Sequence, residues 1–175
     1  DKHSVLHCAS YHENMVDVVV NLIDRGCNPN EPDIFGDSSM HWASIHGYTD
    51  LVKAMVGRGG SVSQVNFDEG TCCYFNACFS GNLELVRYLL DVGSDLHVKC
   101  KDKRIALHLS RSKEVTEFLL EQGLNIDERD NSCCTPLFEA CSQICKDVVE
   151  FLLQKGANLH AKNVEGESVL HIASD

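Results

Sequence analysis

An all-α solenoid of helix pairs is the fold this sequence predicts, with five full pairs, the start of a sixth, and short β-hairpin connections. Three observations predict it. One four-residue motif recurs six times at nearly constant spacing, an amphipathic stretch follows each of the first five copies, and a glycine closes each stretch at the same offset. A period of about 33 residues marks stacked supersecondary units, each burying its apolar face on the next.

The motif copies are Ser4-Val5-Leu6-His7, Ser38-Ser39-Met40-His41, Cys72-Cys73-Tyr74-Phe75, Ile105-Ala106-Leu107-His108, Thr135-Pro136-Leu137-Phe138 and Ser168-Val169-Leu170-His171. Their third residues are separated by 34, 34, 33, 30 and 33 positions. Each copy opens a first helix, where a Ser or Thr hydroxyl can take an orphan backbone N–H. The second helices begin near Val18, Leu51, Leu85, Val115 and Val148, with apolar residues at i, i+1, i+4 and i+5 on one face. Gly26, Gly59, Gly93, Gly123 and Gly156 follow, as helix ends that need positive φ require. Asp33-Ile34-Phe35-Gly36 and Asn163-Val164-Glu165-Gly166 mark tight turns before the next motif.

These features resemble the ankyrin-repeat family over nearly the whole chain, as one domain with repeats of approximately 1–32, 33–66, 67–99, 100–129 and 130–162 and a partial sixth at 163–175. The resemblance implies L-shaped units stacked into a curved solenoid, and a role in protein–protein recognition on a concave face of hairpin tips and first helices. On this chain that face predicts partner-binding positions at Tyr11, Ile34, Phe35, Asp37, Ile45, His46, Asp68, Glu69, Phe79, Lys101 and Arg104, with Thr71 and Cys134 also exposed. It further implies that the motif histidines His7, His41, His108 and His171 tie neighbouring hairpins through backbone hydrogen bonds. Asn30, His97, Asp127 and His160 fall where asparaginyl hydroxylases modify similar arrays, each eight residues after a second-helix leucine.

Composition narrows the function classes. A net charge of −11 disfavours nucleic acid as a general partner. No apolar run reaches the ~18 residues a membrane helix needs, so a cytoplasmic or nuclear monomer is expected. The ten cysteines sit where small or apolar residues stand in other repeats, which predicts structural thiols in a reducing compartment. Zinc is the alternative, but Cys72-Cys73, Cys133-Cys134 and Cys141/Cys145 lack paired C-x2-C spacing. No metal, cofactor or catalytic residue is predicted: Ser–His pairs recurring once per repeat are caps, and no phosphate loop or zinc-protease motif occurs.

Departures from the repeat carry further expectations. The third repeat lacks the cap hydroxyl and the histidine. The fourth is three residues short, nearly one helical turn, so its first helix or inter-helix turn should be clipped. It also has Lys103 at the turn glycine, and six basic residues between Lys99 and Lys113 against Asp102 alone. Neither chain end resembles a polar capping repeat, which reads as a segment of a longer array. The leading functional expectation is docking of another protein. The alternatives are an intramolecular regulatory array of a larger enzyme, ubiquitin ligase or channel, and a phosphate or small-ligand sensor using the basic fourth repeat.

Overall fold

The computed structural model describes residues 4–172, which fall into two compact units, Asp1–Asp95 and Leu96–Asp175. The division lies in the connection entering the shortened fourth repeat. Every helix has nine residues or fewer. Helices this short are marginal alone, so their stability comes from packing an apolar face.

The first unit holds three helix pairs: α1 (Val5–Ala9) with α2 (Val16–Asp24), α3 (Ser39–Ile45) with α4 (Thr49–Val56), and α5 (Cys73–Ser80) with α6 (Leu83–Asp91). The extra residue of the first repeat is taken up by a 3-10 turn, Glu13–Met15. First helices stack on first helices and second on second: α3 packs against α5, and α2 against α4. Leu6, Met40, Leu51, Met55, Tyr74, Phe75, Leu85 and Leu89 are fully buried between these layers. Tyr74 and Phe75 thus replace the usual leucine and histidine by bulk, and Cys72 caps α5 without a side-chain hydrogen bond.

The second unit holds α7 (Ala106–Leu109) with α8 (Lys113–Glu121), α9 (Pro136–Ser142) with α10 (Lys146–Gln154), and α11 (Val169–Ile172). The missing residues come out of the first helix of the fourth repeat: α7 has four residues while α8 keeps nine. Hydroxyls stitch the shortened junction, with Ser110 Oγ 2.9 Å from Thr116 Oγ1 and Thr116 Oγ1 donating to the Ser112 carbonyl at 2.9 Å. Leu137, Phe138, Val148, Leu152 and Val169 form one core cluster. In the sixth motif Leu170 is exposed, while Val169 is buried like its counterparts Ser39, Cys73, Ala106 and Pro136.

The motif histidines act as braces. The Ser4, Ser38 and Ile105 N–H groups donate to Nδ1 of His7, His41 and His108 at 3.1–3.2 Å. This fixes the Nε2–H tautomer, and Nε2 donates across the layer to the carbonyls of Asp37 (3.0 Å), Thr71 (3.2 Å) and Cys134 (3.2 Å). Thr71 and Cys134 are therefore buried, which corrects their expected exposure.

The connections are turns with isolated bridges. Among the described residues the antiparallel pairings are single, Val65 with Cys72 and Lys162 with Ser168. A side-chain carboxylate or amide takes the amides a longer ladder would use. Asp33 Oδ1 accepts from the N–H of Phe35 and Asp37, Asp130 Oδ1 from Ser132 and Cys134, and Asn163 Oδ1 from Glu165 and Glu167. Adjacent tips are then tied by backbone bonds: Phe67 N–H to Phe35 O (2.8 Å), Asn131 to Asp102 (2.8 Å) and Val164 to Ser132 (2.9 Å).

The five helix-closing glycines have positive φ as expected, but so do Lys103 (61°), Cys133 (59°) and Ile144 (58°). Ile144 stands in the turn between α9 and α10, where the first unit has Gly47 and Gly81 with φ of 72° and 77°. A β-branched residue is strained there. Its side chain is 88% exposed, so little packing offsets the strain. Ile144→Gly should stabilise the second unit by about 1 kcal/mol in urea unfolding. A lower midpoint would show that the side chain has a stabilising role.

Candidate functional site

The first unit brings several of the predicted partner-binding residues together and adds four that were not predicted. Ile34 and Phe35 project from one hairpin tip, each 52% exposed. The neighbouring tip presents Val65 and Phe67, at 45% and 62% exposure. The Phe67–Phe35 backbone bond holds the two tips side by side. Four exposed apolar side chains are thus gathered on adjacent tips.

Asp33 connects the tips to an aromatic row. Its Oδ1 fixes the tip backbone, while its Oδ2 accepts from Trp42 Nε1 at 3.3 Å. The Trp42 ring lies 4.7 Å from that of Tyr11, Tyr11 lies 6.0 Å from His46, and His46 stacks on Tyr48 at 5.4 Å. The Tyr48 hydroxyl donates to the Tyr11 carbonyl at 3.4 Å. Burial, followed by the charges of Asp33, Cys8 and Asp37, holds the Tyr11 hydroxyl above its ordinary pKa. Asp37 is half-buried, its Oδ1 accepting from Asn66 Nδ2 at 3.2 Å, and burial raises its carboxyl pKa. Beyond Tyr48 opens a cavity of about 500 Å³ lined by Glu13, Asp17, Tyr48, Asp50, Asn82 and Glu84 among others.

The other predicted positions divide. Asp68 and Glu69 are exposed at the second tip, whereas Ile45 and Phe79 are half-buried. Lys101 and Arg104 belong to the second unit. There Lys99 pairs with Glu128 (2.7 Å), Arg104 with Asp102 (3.0 Å), and Arg111 donates to Gln143 (2.9 Å). Lys113 lies over the Phe151 ring at 5.6 Å, so at least four of the six clustered basic residues are engaged locally. Trp42, Tyr48, Val65 and Phe67 were the residues missed. Trp42, Ile45 and His46 share a helical stripe at i, i+3 and i+4, and that spacing could have found Trp42.

Asn30, His97, Asp127 and His160 each lie four residues beyond a helix-closing glycine, second of a pair of turn residues. Asn30 spans to the next repeat, its Nδ2 donating to Gly59 O (2.8 Å) and its Oδ1 accepting from Ser61 N–H (2.7 Å). Asp127 Oδ1 accepts from Asn158 N–H at 2.9 Å in the same manner. Asp130, Cys134 and Glu139 bring possible metal-ligand atoms within 4.8 Å of one another. Asp130 Oδ1 accepts from two backbone amides there, Glu139 Oε2 accepts from Gln143 Nε2 at 3.4 Å, and burial pushes the Cys134 thiol up to about 11. Cys72, Cys73 and Cys78 are buried, and desolvation raises all three thiols, as inert packing groups require.

A family model for ankyrin repeats, three copies long, matches residues 6–100 and again 75–163. The human channel named transient receptor potential cation channel subfamily A member 1 is 25% identical over 173 residues, covering 94% of this chain and 14% of the channel. Its Caenorhabditis elegans homologue is 30% identical over 130 residues, 71% of this chain and 10% of that protein. Human palmitoyltransferase ZDHHC13 is 34% identical over 74 residues, 42% of this chain and 12% of the enzyme. This chain therefore spans only a small part of each. Among solved structures, the ankyrin repeat domain of Bcl-3 superposes with a TM-score of 0.70 at 24% identity, covering 96% of this chain and 76% of that one.

Proposed function

Because the chain belongs to the ankyrin-repeat family, a family of protein-interaction modules, we propose that it docks a polypeptide partner on the hairpin-tip and first-helix face of its first unit. The observation that carries this is the pair of joined tips exposing Ile34, Phe35, Val65 and Phe67 beside the Trp42–Tyr11 row. Polar residues would be the neutral choice at such tips. No chemistry is assigned to the segment itself, since its Ser–His pairs are consumed as helix caps and braces.

A photo-crosslinking residue at position 35, compared with one at Val18 on α2, tests the face. Covalent adducts should form with a polypeptide from position 35 and not from 18. Phe35→Ala should then weaken capture by about 1–3 kcal/mol with little change in melting temperature. Equal crosslinking from both positions, or unchanged capture by Phe35→Ala, would place the interface elsewhere.

A second reading is favoured by the relatives, which are long proteins matched over 14% of their length or less. An array inside such a chain meets its own neighbours at high effective concentration. Crosslinks within one full-length chain would support this intramolecular role, and crosslinks to a separate protein would support the adaptor role.

The shared turn position of Asn30, His97, Asp127 and His160 also supports a role as substrate for an asparaginyl hydroxylase. Intact-mass measurement after incubation with such an enzyme should show one added oxygen at Asn30. Unchanged mass at all four positions would remove the reading.

A further inference from the structure

We infer that the segment docked on the first unit is basic, with an Arg or Lys side chain seated on the Tyr11–Trp42 ring pair and flanking basic residues reaching the acidic cavity beyond Tyr48. This rests on the docking face proposed above and adds its chemical specificity.

Charge segregation within the unit points to such a ligand. Residues 1–95 contain five Lys and Arg against thirteen Asp and Glu. The described bases all lie on or just beyond second helices: Arg25 after α2, Lys53 on α4, Arg58 after α4 and Arg87 on α6. Lys53 pairs with Glu84 at 2.6 Å, and Arg58 with Asp24 at 3.0 Å. The stretches that make the tips, first helices and inter-helix turns, 4–15, 29–48 and 62–82, contain no Lys or Arg. They carry Glu13, Glu31, Asp33, Asp37, Asp68 and Glu69. An acidic or phosphorylated partner would meet repulsion along this whole face, and a basic one attraction.

The aromatic row supplies the contact that charge alone lacks. Guanidinium and ammonium groups are attracted to the faces of Trp and Tyr, and Arg also stacks on them. Here the two rings are 4.7 Å apart at centroid, with the Asp33 carboxylate bonded to the indole edge. Burial first, and then the charges of that carboxylate, of Cys8 and of Asp37, raise the Tyr11 hydroxyl pKa. A cation over these rings would therefore feel both π faces and two carboxylates. The row continues through His46 to Tyr48, which lines the cavity holding Glu13, Asp17, Asp50 and Glu84. An extended chain following the row passes from apolar tips to an aromatic platform to an anionic cleft. Apolar residues next to a basic run are its complement.

Trp42 is the single tryptophan of the chain, so its emission reports on this site alone. Short peptides alternating glycine with arginine, with serine and with glutamate are titrated against the protein while emission is followed. The arginine peptide should change Trp42 emission saturably, and the serine and glutamate peptides should not. Tyr11→Ala should weaken the arginine peptide about threefold to thirtyfold. The doubly substituted Glu13→Gln, Asp17→Asn variant alters exposed side chains only, so it keeps its fold and should also weaken binding. Asp91→Asn, on the far end of α6, should leave it unchanged. Equal responses to all three peptides overturn the inference, as does arginine binding that leaves Trp42 emission unchanged or that Asp91→Asn weakens as much as the site variants do. If position 35 crosslinks to a polypeptide while the peptides show no basic preference, this inference fails and the docking face stands. If position 35 crosslinks nothing, the docking face fails first.

Discussion

Replacing His41 by alanine should destabilise the first unit by about 3 kcal/mol, one of the largest losses available from a single side chain outside the apolar core. The imidazole is almost fully buried and satisfies two backbone groups at once, the Ser38 N–H on Nδ1 and the Thr71 carbonyl on Nε2. Alanine leaves both unsatisfied in a dry layer and opens a cavity there. Unfolding followed by Trp42 emission measures the loss directly. His41→Phe separates the two contributions, because Phe75 and Phe138 fill this motif position with bulk in the third and fifth repeats. If hydrogen bonding carries the effect, phenylalanine recovers little of it. Near-complete recovery would mean that packing, not the bridge, matters.

The same histidine sets a pH dependence. Burial lowers the pKa of His41, and likewise of His108, below the ordinary 6.5. As pH falls under 6.5 the unfolded chain takes up protons that the folded layers refuse, so stability declines from there down to the folded-state values and is flat above 6.5. Asp37 works the other way: burial raises its pKa above 3.8, so acidification relieves a folded-state penalty, but only nearer the carboxylate range. The histidine loss therefore appears first on acidification. His41→Ala should remove part of that slope, and an unchanged slope would assign it to other groups.

Much of this fold was legible because each repeat states its core in residue types that serve no other purpose. Leu6, Met40, Tyr74, Leu107 and Leu137 recur at one position and are all buried to 1% exposure or less. The shortened fourth repeat was legible as arithmetic, since three missing residues had to come from α7 or its turn. What escaped notice was backbone conformation carried by the wrong residue. Cys133 and Ile144 take left-handed turns that glycine marks elsewhere, and nothing in their side chains announces it. The hairpins were read as β-structure, yet Asp33, Asp130 and Asn163 spend the needed amides on side-chain turns. The face proposed for docking was half legible. Ile34 and Phe35 stand out at a tip sequence, but Trp42 follows directly on a core motif and was passed over as part of it. Tyr48 and Phe67 join the face only because adjacent repeats align, a relation no single repeat displays.

Gly36→Ala should cost about 3 kcal/mol and disrupt the joined tips on which docking is proposed. Gly36 has φ +87°, which an L side chain resists. Its added Cβ would also sit 2.4 Å from the backbone nitrogen of Phe67 and 2.6 Å from Phe67 Cγ. That nitrogen cannot move without breaking its bond to Phe35 O, the bond that joins the two tips. Gly26→Ala is the control, because Gly26 has φ +103° and nothing within 4 Å of the added carbon, so it adds backbone strain alone, about 1 kcal/mol. The difference between the two variants isolates the steric term. Hydrogen exchange at the Phe67 amide should accelerate in Gly36→Ala and stay unchanged in Gly26→Ala. Crosslinking from position 35 should fall in the first and persist in the second. Equal stability losses would show that the tips yield to the methyl group, and the joined-tip surface would then be too compliant to present Phe35 and Phe67 as one rigid anchor.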